Sequence, residues 1–156
     1  MVSVAVVGAT GFTGEQLVDI LIDHPDVQIA YLSSRVEEPR HVTEVFPQFA
    51  GRLDAYLEPL DMDKISYRAE VVFLSLPHRV SFQFAPAFIA QGKKVIDISA
   101  DYRLKDPAVY KQFYGVDHGD PDHLAEAVYG LPEWYRGDIR DASLIANPGC
   151  YPTAVN

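Results

Sequence analysis

Val4-Ala5-Val6-Val7 runs directly into Gly8-Ala9-Thr10-Gly11-Phe12-Thr13-Gly14, and this junction restricts the fold more than any other stretch of the chain. A continuous β-branched run is what a strand buried on both faces of a parallel sheet requires. Leu17, Ile20, Leu21 and His24 then recur at helical spacing until Pro25 stops them. Val27 to Leu32 reads as a second strand. Strand, glycine loop, helix and strand in that order make a βαβ unit, the context in which spaced glycines acquire a use. Gly8 permits a tight turn, Gly11 lets the backbone approach a ligand, and Gly14 lets the helix pack closely on the strand.

The pattern weakens from Ser33 to about Leu60, where Pro39, Pro47, Gly51 and Pro59 interrupt it. Leu53, Ala55 and Leu57 alternate as in a short edge strand. Val71 to Leu76 is again an apolar strand, stopped by Pro77. Val80, Phe84 and Phe88 mark one face of a helix, with Gly92 as its C-terminal cap. Lys94 to Ile98 predicts another buried strand. Asp106 and Pro107 look like a cap and first helical residue, opening a helix through about Phe113, and Ala142 to Ala146 predicts the last strand. Strands alternating with helices predict an α/β fold with a doubly wound, mainly parallel sheet of the Rossmann type. Ligands of such folds bind at the carboxyl ends of the strands.

A chain of 156 residues suits one domain with a real core. With 13 basic and 22 acidic residues the net charge is −9, which argues against nucleic acid or an anionic membrane as partner. A phosphate-bearing ligand must then be held by local groups against an unfavourable overall field. The single cysteine excludes an internal disulfide and suits a reducing compartment. The first residues carry no basic segment, and their apolar run is too short for a signal peptide or a membrane span. A cytoplasmic protein is expected.

Five stretches offer candidate chemistry. The glycine loop can hold phosphates through free N–H groups and the helix dipole, without a basic side chain. Dinucleotide sites for NAD usually place an acidic residue after the second strand, where this chain has Ser33-Ser34-Arg35. Hydroxyls and a guanidinium suit a ribose 2′-phosphate, so NADP(H) is favoured, although Glu37 and Glu38 follow closely. Ile145-Ala146-Asn147-Pro148-Gly149-Cys150-Tyr151-Pro152 sets the only cysteine after a strand and at the start of a helix, where a thiol ionises more easily. A lone cysteine is otherwise a small buried hydrophobe. Ser99-Ala100-Asp101-Tyr102-Arg103 follows a strand's carboxyl end; Arg103 either meets an anionic ligand or pairs internally with Asp101. Asp117-His118-Gly119-Asp120-Pro121-Asp122-His123 has metal-ligand residue types, but its Gly and Pro fit a surface turn and no metal is expected.

These motifs, with Phe73-Leu-Ser-Leu-Pro-His78, Val95-Ile-Asp-Ile-Ser-Ala-Asp-Tyr-Arg-Leu104 and Val128-Tyr-Gly-Leu-Pro132 in the same order, resemble the N-terminal part of the N-acetyl-γ-glutamyl-phosphate reductases of arginine biosynthesis. The resemblance implies NADPH-dependent reduction of a small acyl phosphate to the semialdehyde, with release of phosphate. It makes Cys150 the nucleophile, which forms a thioester that is reduced to a hemithioacetal and released as the aldehyde. Gly8, Thr10, Gly11, Phe12, Thr13 and Gly14 are then expected to hold the pyrophosphate, Ser34 and Arg35 the 2′-phosphate, and Pro77 and His78 the nicotinamide. Arg103 and Asn147 are expected to orient the substrate. On this resemblance residues 1–150 are the NADP-binding domain and 151–156 open a second, α+β part. That part carries the catalytic histidine and most contacts of a homo-oligomer. None of the five histidines here matches that base, so residues 1–156 alone are expected to bind cofactor with little turnover. A lysine-pathway reductase acting on a carrier-bound aminoadipyl phosphate shares many of the motifs. An aspartate-semialdehyde dehydrogenase fits less well, because its cysteine stretch lacks the Pro-Gly before and the Tyr-Pro after. A non-catalytic NADP-binding module is the alternative from another class.

Overall fold

The structure is a computed structural model and describes residues 1–155. The chain forms two compact units, Met1–Ser75 and a second from Leu76 onward. In the first unit the elements are β1 (Val2–Val7), α1 (Phe12–Ile22), β2 (Val27–Ser33), β3 (Arg40–His41), α2 (Val42–Val45), a 3₁₀ turn (Pro47–Phe49), β4 (Tyr56–Glu58), α3 (Met62–Arg68) and β5 (Val71–Leu74). The second has a 3₁₀ turn (Ser81–Gln83), α4 (Ala85–Ala90), β6 (Lys94–Asp97), α5 (Pro107–Tyr114), α6 (Pro121–Glu126), β7 (Val128–Tyr129), α7 (Pro132–Asp141), β8 (Leu144–Ala146) and α8 (Cys150–Val155). Strands of the first unit lie in the order β3-β4-β2-β1-β5 and those of the second in the order β6-β8-β7. Among the described residues every pairing within a unit is parallel except β3 with β4. This is the mainly parallel α/β architecture expected from the alternation of elements.

The first strand is central in its unit, paired with β2 on one side and β5 on the other. Its residues Val4, Ala5, Val6 and Val7 are buried, as a β-branched run without alternation requires. Helix α1 covers it with Gly14, Val18 and Leu21, one residue per turn. Ile20, expected on that face, is 68% exposed; it stands two residues from Val18 and so points some 200° away round the helix. The core of the unit gathers Val4, Val6, Val18, Leu32, Phe49 and Leu57. Leu57 lies in an interior strand, not an edge strand, because the two residues of β3 pair with β4 and take the edge.

In the second unit the expected helix through Val80, Phe84 and Phe88 divides. A 3₁₀ turn ends at Gln83 and α4 begins at Ala85 with Pro86 in its first turn. Proline has no N–H to continue a ladder from the preceding turn, so a new helix starts there. Phe88 still reaches the core, and Gly92 follows at φ +72°. Asp106 caps α5 by accepting the Ala108 N–H at 2.8 Å, as its sequence indicates. The last strand is shorter than expected, Leu144–Ala146, because Ala142 still caps α7.

Gly14 is fixed by contact. A Cβ there would lie 2.3 Å from the Gly8 carbonyl oxygen and 2.9 Å from Ala9 Cα, both backbone atoms. Gly14→Ala should therefore cost about 3 kcal/mol, read from the urea midpoint, as overpacking against backbone does. A loss below about 1 kcal/mol would contradict this close packing.

Candidate active site

In the first unit the glycine loop hangs from the end of β2. The N–H groups of Gly8 and Ala9 both donate to the Ser33 carbonyl, at 3.0 and 2.9 Å. Gly8 has φ +87°, open to glycine at no steric cost. Gly11 N–H donates back to Gly8 O at 3.1 Å and closes the turn. A Cβ on Gly11 would meet only that oxygen, at an ordinary 3.5 Å, and its backbone has φ −74°. The protein itself therefore does not require glycine here, unlike at positions 8 and 14. The first N–H groups of α1 have no intrahelical acceptor and no side-chain cap. A phosphate group fits both observations.

Thr10, Phe12 and Thr13 are exposed around this turn. Thr10 Oγ1 lies 2.7 Å from Ser34 Oγ, which joins the loop to the segment after β2. Ser34 is fixed in turn by its N–H, which donates to Glu58 O at 3.0 Å. Arg35 is exposed and makes no hydrogen bond or ion pair with a described residue. Two hydroxyls thus meet at the glycine loop, and the residue after Ser34 carries a free guanidinium.

The second unit holds the remaining candidates. Cys150 is the first residue of α8, and its thiol is free and exposed. The loop before it is held at three points. Asn147 N–H donates to Asp97 O at 2.8 Å, Arg103 Nε donates to Asn147 O at 2.8 Å, and Gly149 O accepts Thr153 Oγ1 at 2.9 Å. Arg103 Nη2 also donates to Ile98 O at 2.9 Å, while Nη1 makes no hydrogen bond to a described residue. A Cβ on Gly149 would lie 3.1 Å from that Nη1, so glycine lets the guanidinium sit against the loop. Arg103, Asn147 and Cys150 are thereby brought together. Pro77 and His78 lie exposed on the turn after β5. His78 Nδ1 accepts the Ala100 N–H at 3.0 Å, which places the ring proton on Nε2.

Residues 3–142 match the family described as semialdehyde dehydrogenase, NAD binding domain. The chain belongs to that family. As a semialdehyde dehydrogenase NAD-binding domain it is 48% identical, over 99% of its length, to the N-acetyl-gamma-glutamyl-phosphate reductase of Nitrosococcus oceani. It is 44% identical, again over 99% of its length, to the [LysW]-L-2-aminoadipate/[LysW]-L-glutamate phosphate reductase of Sulfurisphaera tokodaii. It spans 45% and 44% of those two proteins, a little under half. The fold is that of aspartate semialdehyde dehydrogenase II from Vibrio cholerae, with a TM-score of 0.62 and 19% identity over 97% of this chain and 42% of that one. The motifs that resemble the reductases thus sit in a chain similar to them from end to end.

One open alternative is decided and one expectation needs correction. Asp101 and Arg103 do not pair: the guanidinium serves main-chain carbonyls, while the Asp101 carboxylate accepts the N–H of Arg79 at 2.7 Å, the N–H of Ser81 at 2.9 Å and the Tyr110 hydroxyl at 2.9 Å. Asp117 to His123 is not wholly a surface turn: Asp117, Gly119, Pro121 and Asp122 are exposed, but His118 and Asp120 are buried. His118 Nε2 donates to Asp101 O at 2.9 Å, its Nδ1 accepts the Asp120 N–H at 3.1 Å, and Asp120 Oδ2 accepts the Tyr102 hydroxyl at 2.7 Å. Among the described residues no group of three or more acidic, histidine or cysteine residues is placed to hold a metal. No described helix is long and apolar enough to cross a membrane.

Burial holds the His118 imidazole below its ordinary pKa of 6.5. A proton on Nδ1 would also face the Asp120 N–H that it now accepts. The unfolded chain takes up that proton more readily, so this contribution to stability is full above pH 6.5 and is lost as the pH falls below it. Urea midpoints at about pH 7.5 and about pH 5.5 should differ less in His118→Gln than in the unaltered protein; an equal difference would contradict this assignment.

Proposed function

We propose that this chain is the cofactor-binding part of an NADPH-dependent acyl-phosphate reductase that converts N-acetyl-γ-glutamyl phosphate to N-acetylglutamate 5-semialdehyde. The observation that carries the reading is the exposed Cys150 thiol at the start of α8, on a loop gripped by Arg103. A thiol so placed is available to an electrophile, and an acyl phosphate is an activated one. Cys150 Sγ attacks the acyl carbon, the C–S bond forms, and the C–O bond breaks as phosphate leaves with its electron pair. Asn147, three residues before Cys150, and the unengaged Nη1 of Arg103, which lies against Gly149, can orient the anionic substrate.

Gly8, Thr10, Gly11, Phe12, Thr13 and Gly14 hold the pyrophosphate of the dinucleotide, through the open surface of Gly11 and the unpaired N–H groups of α1. Ser34 and Arg35 receive the ribose 2′-phosphate, and Pro77 with His78 contributes to binding the nicotinamide. When bound, NADPH supplies the hydride that reduces the acyl group. The similarity to the Sulfurisphaera tokodaii protein supports a second reading on the same chemistry, in which the acyl group is a carrier-bound aminoadipyl or glutamyl phosphate.

The tests use the protein encoded by the natural reading frame that contains these residues. NADPH should bind at least about tenfold more tightly than NADH, and Arg35→Ala should erase most of that difference, as losing a charge-assisted bond to phosphate does. Equal affinities for the two cofactors, or an unaltered preference in the variant, would remove the Ser34 and Arg35 assignment. Cys150→Ser should abolish reduction while changing NADPH affinity by less than about twofold. A serine variant that still turns over excludes the thioester route.

A further inference from the structure

Asp101 has no place in the roles above, yet it is fully buried and its carboxylate accepts two main-chain N–H groups and one phenolic hydroxyl. Two of those donors, the N–H groups of Arg79 and Ser81, belong to the segment that follows Pro77 and His78. Arg79 has φ +71°, the one non-glycine residue with positive φ among the described residues. A side chain in that region is disfavoured and persists only where its surroundings impose it. Both hydrogen bonds that flank Arg79 end on the same carboxylate. The neighbouring Ala100 N–H donates to His78 Nδ1, so the Ser99–Arg103 segment holds the turn by a main-chain donor as well. From its other end Arg103 grips Asn147 O, on the loop that carries Cys150.

We infer that Asp101 is a positioning residue: it clamps the strained Arg79 turn and so fixes Pro77 and His78 in the place where they meet the cofactor. The inference rests on the proposed cofactor role of Pro77 and His78. The clamp has three supports of its own. Asp101 itself is held, because Ser99 Oγ accepts its N–H at 3.1 Å and donates to Asp97 Oδ2 at 2.8 Å. Tyr110, whose hydroxyl completes the carboxylate's set, is kept a neutral donor by burial, which pushes its pKa up. His118 covers the same residue from the main-chain side through Asp101 O. The carboxylate therefore cannot shift without breaking bonds on two sides, and the turn inherits that rigidity.

The test uses the protein from the natural reading frame and separates two readouts: NADPH affinity by fluorescence titration, and the rate at which iodoacetamide alkylates Cys150. Asp101→Asn keeps the shape but turns an acceptor into a donor facing main-chain N–H groups. It should weaken NADPH binding about tenfold or more and leave alkylation within about twofold. Arg103→Gln should change alkylation and leave NADPH affinity within about twofold. Because a buried substitution can prevent folding, the exposed Arg79 supplies an independent pair. Arg79→Val, whose branched side chain opposes positive φ, should weaken NADPH binding about fivefold, whereas Arg79→Gly should leave it within about twofold. Parallel losses in both readouts for Asp101→Asn, or equal affinities in the valine and glycine variants, overturn the clamp. If the unaltered protein binds no NADPH, the proposed function fails. Hydrogen exchange then decides the clamp alone: Arg79 and Ser81 amides deprotected by Asp101→Asn sustain it, and unchanged protection overturns it.

Discussion

A carboxylate buried without a cation is costly, and a protein keeps one only where several donors converge on it. In the second half of this chain the donors on Asp101 are the main chain of the Arg79–Ser81 turn and the hydroxyl of Tyr110. Much else in that half depends on this convergence. It sets the conformation of the turn after β5, seats Tyr110 of α5, and places Asp101 O where His118 can donate to it. Through the next two residues the same segment supplies Arg103, which holds the loop leading to Cys150. One segment after β6 thus governs two loops that both carry candidate active-site residues.

The first half reaches its site by a different route, through backbone alone. Each glycine of the loop answers to its own constraint: positive φ at Gly8, a backbone contact at Gly14, and surface left open at Gly11. With a net charge of −9 the chain has no general attraction for phosphate, so oriented N–H groups and one free guanidinium must do locally what overall charge does not. The absence of an acidic residue directly after β2 and the presence there of Ser34 and Arg35 are consistent with a cofactor carrying one more phosphate.

Much of this was legible in the residues. Val4 to Gly14 announces its strand, loop and helix because burial on both faces and glycine spacing are local properties. Asp106 with Pro107 announces a helix start for the same reason. What was not legible depends on partners distant in sequence. Asp117 to His123 is polar and contains Gly and Pro, so it reads as a surface turn. Its His118 and Asp120 are buried because Asp101 and Tyr102, 17 and 18 residues away, satisfy them. Nothing around Arg79 marks a positive φ, since the carboxylate that enforces it lies 22 residues on. The division of the helix at Pro86 carried a local sign, a proline inside an apolar period, which the spacing of Val80, Phe84 and Phe88 outweighed.

In the proposed reaction Cys150 accepts the acyl group. The most direct test of this step is to mix the protein from the natural reading frame with N-acetyl-γ-glutamyl phosphate in the absence of NADPH, quench in acid and map the peptides by mass spectrometry. One N-acetylglutamyl adduct is expected, on the peptide containing Cys150, formed in step with phosphate release and lost on treatment with hydroxylamine. Phosphate release with no adduct on Cys150, or an adduct on another residue, would contradict this role of Cys150.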